Sequence, residues 1–300
     1  MRNAFAATVI SHCNKDDYYF LTGDLGFMAL EEVKETFGSR FINAGIAEQN
    51  MIGVAAGLAR EGFKVFAYSI APFCYARPFE QIRNDVCLAN LPVCLVGNGG
   101  GYAYGHMGPT HHALEDCAAM NSLGVTVLAP AFDEDIPAML AKLSSPTYLR
   151  LGYDVKPKGV EVPQYAPWRQ VLSGEQGAIA ALGPVSGIAW QSLLDVPIGD
   201  RPSVWAVTEF NADAIPEEFW AQVAGKRLFV IEEHVAAGGL GMHVALTMAH
   251  LGIQVSNFIH RHALGYPTDH FGSQEFHRAQ CGLDAVGVLA MVSGEKHEPR

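Results

Sequence analysis

A few short stretches of the 300-residue chain carry side chains whose types and spacing suit chemistry as well as packing. In Gly45-Ile46-Ala47-Glu48-Gln49-Asn50, an acid sits among apolar neighbours just after Arg40-Phe41-Ile42. A Glu at a helix start is ordinarily a dipole-stabilising group. Surrounded by Ala, Ile, Met and Val, which leave it little water, it is equally suited to hydrogen-bonding a ligand. Further on, Gly108-Pro109-Thr110-His111-His112 offers imidazoles, which change charge near neutrality and can handle protons. His106, His111 and His112 could suggest a metal cluster, but no carboxylate or Cys lies at complementary ligand spacing, so no metal ligand is assigned. Phe73 and Tyr75 follow Pro72 at a strand end, where an aromatic face would ordinarily serve burial. The loop 97–105 is glycine-rich but lacks Gly-Lys-Ser/Thr, so it reads as a wall of a site rather than a phosphate loop.

These residues need a scaffold, and hydrophobic periodicity supplies one. Met51, Val54, Ala55 and Leu58 recur at helical spacing and predict a helix with Glu48 in its first turn. Apolar runs at 18–24, 64–70, 91–98, 125–129 and 147–151 predict strands, with helices at 3–13, 29–37, 113–123 and 133–143, the last capped by Asp133. A further helix is expected after Pro78, a residue favoured at the first helical position. Strand-helix alternation of this kind predicts a doubly wound parallel α/β domain. It places Glu48 at the carboxyl edge of the sheet, where such folds bind ligands.

Residues 1–155 are assigned to this domain and 156–172, with Pro157, Pro163 and Pro167, to a linker. A second, smaller α/β domain is expected over 173–300, with strands at 178–182, 203–207, 227–232 and 254–259. Helices at 187–194, 216–223, 240–251 and from Ser273 complete it. In Glu232-Glu233-His234 the two acids beside a His read best as a strand end and helix entry.

Hydrophobic content of 49% supports two real cores, and a formal charge of −11 with only 20 Lys plus Arg argues against nucleic-acid or acidic-membrane surfaces. Six scattered cysteines without CxxC spacing suggest reduced thiols of a cytoplasmic protein. No apolar run approaches the roughly 20 residues of a membrane span.

Taken together, the 45–50 motif, the 73–85 stretch and Gly108-Pro109-Thr110-His111 resemble the pyrimidine-binding half of thiamine-diphosphate enzymes of the transketolase type, and the likeness continues through the C-terminal domain. It covers nearly the whole chain but only the second half of a full-length transketolase. The resemblance implies that Glu48 binds the cofactor's pyrimidine and promotes loss of the thiazolium proton. A desolvated pocket that lifts a Glu from its usual value near ~4.3 would help. It further implies that Phe73, or less directly Tyr75, supplies an aromatic face, that Asp24 lies near the cofactor, and that His111 faces the substrate carbonyl. Arg2 and Arg150 match phosphate-binding arginines in position, with Asn98 and His106 nearby as further substrate contacts; either Arg could instead belong to an ordinary surface pair.

Departures are equally informative. Gly105-His106-Met107-Gly108 lacks an acid that recognises a donor hydroxyl in relatives, and Met107 is a poor substitute. The Gly-Asp-Gly motif that holds a metal-bound diphosphate is missing, since Gly23-Asp24-Leu25 lacks the second glycine. The resemblance therefore implies an N-terminal partner subunit carrying the diphosphate half with Mg2+ or Ca2+, in a dimer of heterodimers. The expected activity is transfer of a two-carbon ketol unit from a ketose to an aldehyde. Alternatives are a decarboxylating subunit of the 2-oxoacid dehydrogenase β or deoxyxylulose-phosphate synthase type, and a non-catalytic scaffold.

Overall fold

The computed structural model describes residues 1–295 apart from Lys15, Phe27, Lys142 and Thr268. Among the described residues the first half forms a six-stranded parallel sheet from β1 (Tyr18–Thr22), β2 (Phe41–Asn43), β3 (Lys64–Ile70), β4 (Val93–Asn98), β5 (Thr126–Leu128) and β6 (Thr147–Leu151). Their order is β2-β1-β3-β4-β6-β5. The central strands are buried along nearly their whole length because helices cover both faces.

The period-2 alternation of strands assigns each residue to a face. Phe66, Tyr68, Val96 and Leu149 pack with Phe5 and Phe20 under the helices Arg2–His12 and Glu31–Phe37. Val65, Ala67, Leu95 and Tyr148 pack with Met51, Ile52 and Ala55 of the helix Glu48–Arg60. Strand β1 lies between β2 and β3, so the chain leaves β1 in one direction and returns across it to β3. This reversal is the switch point at which open α/β sheets form a crevice.

The second half forms a five-stranded sheet among the described residues, ordered β11-β10-β8-β9-β7. Its strands are β7 (Trp168–Leu172), β8 (Ala178–Leu182), β9 (Ser203–Val207), β10 (Arg227–Glu232) and β11 (Asn257–His262). Strand β7 runs antiparallel to β9 and falls inside the 156–172 stretch read as linker. Trp168 explains it: its ring meets Phe219 edge-on at 5.1 Å and joins the core, drawing the chain after Pro167 into the sheet.

Strand β11 begins three residues later than the apolar pattern implied. Ile253 and Val255 pack on the core before the strand starts, and the polar His260-Arg261-His262 pairs with Val230-Ile231-Glu232. The helix expected from 133 is a short 3-10 turn followed by Ile136–Leu140, and Asp133 does not cap it: the Asp133 N–H donates to Asp154 Oδ2 at 3.1 Å. Asp135 accepts from the backbone of Ala131 and Phe132, whereas Asp133 pairs with the Met1 amino group. No helix among the described residues is long and apolar enough to cross a membrane.

Candidate active site

Glu48 is the first residue of its helix and is 3% exposed. The tight approach of three strand ends produces this burial: a Cβ on Gly23, just past β1, would lie 3.6 Å from Glu48 Oε1 and 3.4 Å from Ser69 Oγ at the end of β3. Ser69 Oγ donates to Glu48 Oε1 at 3.3 Å. The apolar niche expected around this acid also contains a charge: Arg77 Nη1 donates to Oε1 at 3.1 Å and to Oε2 at 3.0 Å.

The helix Ala71–Tyr75 starts directly after β3, with Pro72 in its first turn, and turns Phe73 toward the same place. The Arg77 guanidinium lies 3.8 Å from the centroid of the Phe73 ring. His111 meets Phe73 from another side, edge-on at 5.0 Å and 69°. Thr110 Oγ1 engages His111 Nδ1 at 3.0 Å, leaving Nε2 as the nitrogen available to a substrate. Burial, and then the Arg77 charge, hold the His111 pKa below the ordinary imidazole value. Glu48, Phe73 and His111, far apart in sequence, thus converge on one crevice. A cleft of about 460 Å³ lined by Ile46, Gln49, Asn50 and Arg77 opens beside them.

Asp24 stands at the rim. Its backbone has φ of 51°, and its exposed carboxylate accepts from Asn43 Nδ2 at 2.8 Å while its own N–H donates to Asn43 Oδ1 at 3.1 Å. Asn43 Oδ1 also accepts from Gly45 N, so this amide ties the end of β1 to the start of the glutamate motif. Asn98 and Arg2 come together in a separate cavity of about 320 Å³ with Tyr104 and Tyr153. Asn98 Nδ2 donates to Tyr104 Oη at 2.6 Å, and the Tyr104 ring lies 6.4 Å from His111, linking the cavity to the crevice. His106 is exposed on the turn Gly105–Met107.

Two expected site residues go elsewhere. Tyr75 is buried in the core, edge-on to Tyr148, because residues two apart in a helix lie on nearly opposite faces, which turns it away from Phe73. Arg150 is 4% exposed and points toward the second domain rather than to a ligand. Its Nε donates to Asp116 at 2.7 Å, and its Nη2 donates to the carbonyls of Ala113 and Glu233 at 2.9 Å. The glycine loop follows from this arrangement. A Cβ on Gly100 would fall 2.6 Å from Arg150 Cγ, and one on Gly101, at φ of 67°, 2.5 Å from Glu233 Oε1. The glycines make room for the junction of the two halves.

Nearby, Asp116, Cys117 and His234 hold ligand-type atoms within 4.8 Å of one another. Asp116 Oδ2 already accepts from Tyr148 and Arg150. His234 Nδ1 faces the Val235 carbonyl, and Nε2 accepts from Ala118 N.

Arg77 lies within the 73–85 stretch, yet the residues alone assigned it no role. The available signal was its place four residues after Phe73 and next to Pro78, a helical spacing that puts a cation within reach of an aromatic ring. Ser69 carried no comparable signal.

Known proteins share both the sequence pattern and the architecture. Residues 1–152 match the family model described as transketolase, pyrimidine binding domain. A subunit of apulose-4-phosphate transketolase from Phocaeicola vulgatus is 29% identical, over 96% of this chain and 94% of its own length. 1-Deoxy-D-xylulose-5-phosphate synthase 1 from Geobacter metallireducens is 31% identical over 85% of this chain but only 42% of its own. Among solved structures, a split-gene transketolase described as an inactive β4 tetramer superimposes over 100% of this chain and 99% of its own, with a TM-score of 0.81 and 26% identity. Transketolase from Leishmania mexicana shares the fold, with a TM-score of 0.75 at 18% identity, over 98% of this chain and 45% of the enzyme.

Proposed function

The chain belongs to the transketolase family through its pyrimidine-binding domain, and from that premise we propose how its crevice works. It is a transketolase-type transferase subunit that works with thiamine diphosphate and a partner subunit. The convergence of Glu48, Phe73 and His111 at one switch point carries the residue-level reading.

When bound, thiamine diphosphate would supply nucleophilic chemistry toward a ketose carbonyl. This chain's residues fit the pyrimidine part of that group: a buried carboxyl already receiving N–H donors, beside an aromatic ring already covered by a planar nitrogen group. In our reading Glu48 hydrogen-bonds the far ring nitrogen of the pyrimidine, donating while it holds the shared proton at Oε1 or Oε2 and accepting once that proton is on the ring. Phe73 provides the stacking face. His111, held neutral by its surroundings, offers Nε2 to a substrate hydroxyl or carbonyl. Asp24 and Asn43 shape the rim. Arg2 and Asn98 receive the far, polar end of the substrate in the adjoining cavity, and exposed His106 on the turn Gly105–Met107 serves as a further substrate contact.

The partner, a chain of comparable size with the diphosphate-binding half and a Mg2+ or Ca2+ ion, completes the site in a dimer of heterodimers. Relatives of matching length favour ketol transfer over the synthase-like alternative, of whose length this chain spans about two-fifths. The six free thiols accord with a cytoplasmic setting.

The test is to supply the two-chain complex with ketose phosphates and an aldehyde acceptor, and separately with 2-oxo acids. Ketol transfer without release of carbon dioxide is expected. Carbon dioxide from a 2-oxo acid as the main product would replace transfer with decarboxylation.

A further inference from the structure

We infer that Arg77 is a stand-in that closes the pyrimidine site of the unliganded subunit and must swing out before the cofactor can enter, an inference that rests on the cofactor reading above. The two features a planar nitrogen heterocycle needs here are an aromatic face and a buried acid, and one side chain now takes both. Its guanidinium stacks 3.8 Å from the Phe73 centroid and donates to both oxygens of Glu48 at 3.0 and 3.1 Å. A ring on Phe73 in hydrogen-bond reach of Glu48 would require the same space.

The arrangement also solves an energetic problem for the free chain. A carboxylate as buried as Glu48 is costly without a donor, and apart from Ser69 the donor in place is Arg77. Arg77 can leave more easily than most ion-pair partners of a buried acid. It is 44% exposed, it follows the short helix Ala71–Tyr75, and the adjoining cleft of about 460 Å³ gives its stem somewhere to go. The pyrimidine ring nitrogen and Glu48 then share one proton, taken up from solvent, in place of the guanidinium contact, so the acid is not left as a bare buried charge. A plug lodged in place about nine times in ten weakens the apparent affinity of a competing ligand about tenfold.

The experiment measures thiamine diphosphate binding calorimetrically in the two-chain complex of wild type, Arg77→Ala and Arg77→Met, alongside melting of each free chain. The Met variant keeps the stem and guards against collapse of the loop. Both variants are expected to bind about tenfold more tightly than wild type, and the free variant chains to melt lower. Added guanidinium, well below unfolding concentrations, should re-stabilise the free Arg77→Ala chain and weaken its cofactor binding, whereas the same concentration of sodium chloride should do neither.

Unchanged or weaker binding in both variants, or indifference to guanidinium, would overturn the inference while leaving the cofactor reading intact. A wild-type complex that binds no thiamine diphosphate would instead remove that reading, and this inference with it.

Discussion

Glu48 and Glu233 are both buried acids paired with an arginine, at 3% and 4% exposure, yet they are set up for opposite purposes. Among the described residues every donor to Glu233 is internal: Tyr102 N at 2.6 Å, Gln274 Nε2 at 2.9 Å, and Arg278 Nε at 2.6 Å, with Arg278 itself only 6% exposed. Its backbone carbonyl accepts from Arg150 of the first domain as well. Glu48 has Ser69 and an arm that is 44% exposed. A fully satisfied buried acid with buried partners locks two halves together. One whose main partner reaches in from solvent can exchange that partner for a ligand.

The comparison breaks most sharply at Glu48. Glu48→Gln is expected to reduce turnover of the two-chain enzyme by roughly 10³-fold, within the range of a lost proton-handling group, while circular dichroism and melting stay near wild type. Glu233→Ala should do the reverse. It leaves Arg278 and the Tyr102 N–H without their buried acceptor and should cost about 3–5 kcal/mol of stability in denaturant titration. If Glu233→Ala retained full stability, the acid would not be a clasp.

His111→Ala should lower kcat about 10²-fold with little change in melting. Because burial, the main cause, favours neutral His111, the acidic limb of kcat/KM should lie below pH 6.5 and be lost in His111→Ala. A limb that persisted unchanged in His111→Ala would take His111 out of the proton chemistry.

The smallest effect concerns the histidines near the clasp. His112 and His277 approach each other at 5.0 Å around the Tyr102 ring, and burial is the main cause holding both below the usual imidazole pKa. The unfolded chain therefore binds more protons than the folded one between the depressed values and 6.5. Stability from this source is present above pH 6.5 and is lost as pH falls through the folded values. Melting temperature should drop on acidification, less steeply in His277→Phe, and an unchanged slope would assign the loss to other groups.

The same contrast explains what could be read from the residues alone. Strand and helix positions were legible because apolar periodicity reports burial directly, and the central strands β3, β4 and β6 are buried almost throughout. Glu48 stood out from its local pattern just after a strand, whereas Phe73 and His111 were singled out by the family resemblance, and the structure brings the three side chains together. Trp168 escaped because three prolines mask a strand that tertiary packing on Phe219 creates. Arg150 was misplaced because a strand-end arginine reads alike whether it meets a phosphate or Asp116, a difference set by chain more than thirty residues away. Arg77 and Ser69 acquire meaning only once the ends of β1 and β3 are brought beside Glu48.

The most direct test of the central claim follows the thiazolium proton itself. Exchange of that proton with deuterated water is measured by NMR after rapid quenching, with thiamine diphosphate bound to the two-chain complex. The account predicts exchange much faster than for the free cofactor in wild type, and near the free rate in Glu48→Gln at saturating cofactor. Equal rates in wild type and Glu48→Gln would contradict it.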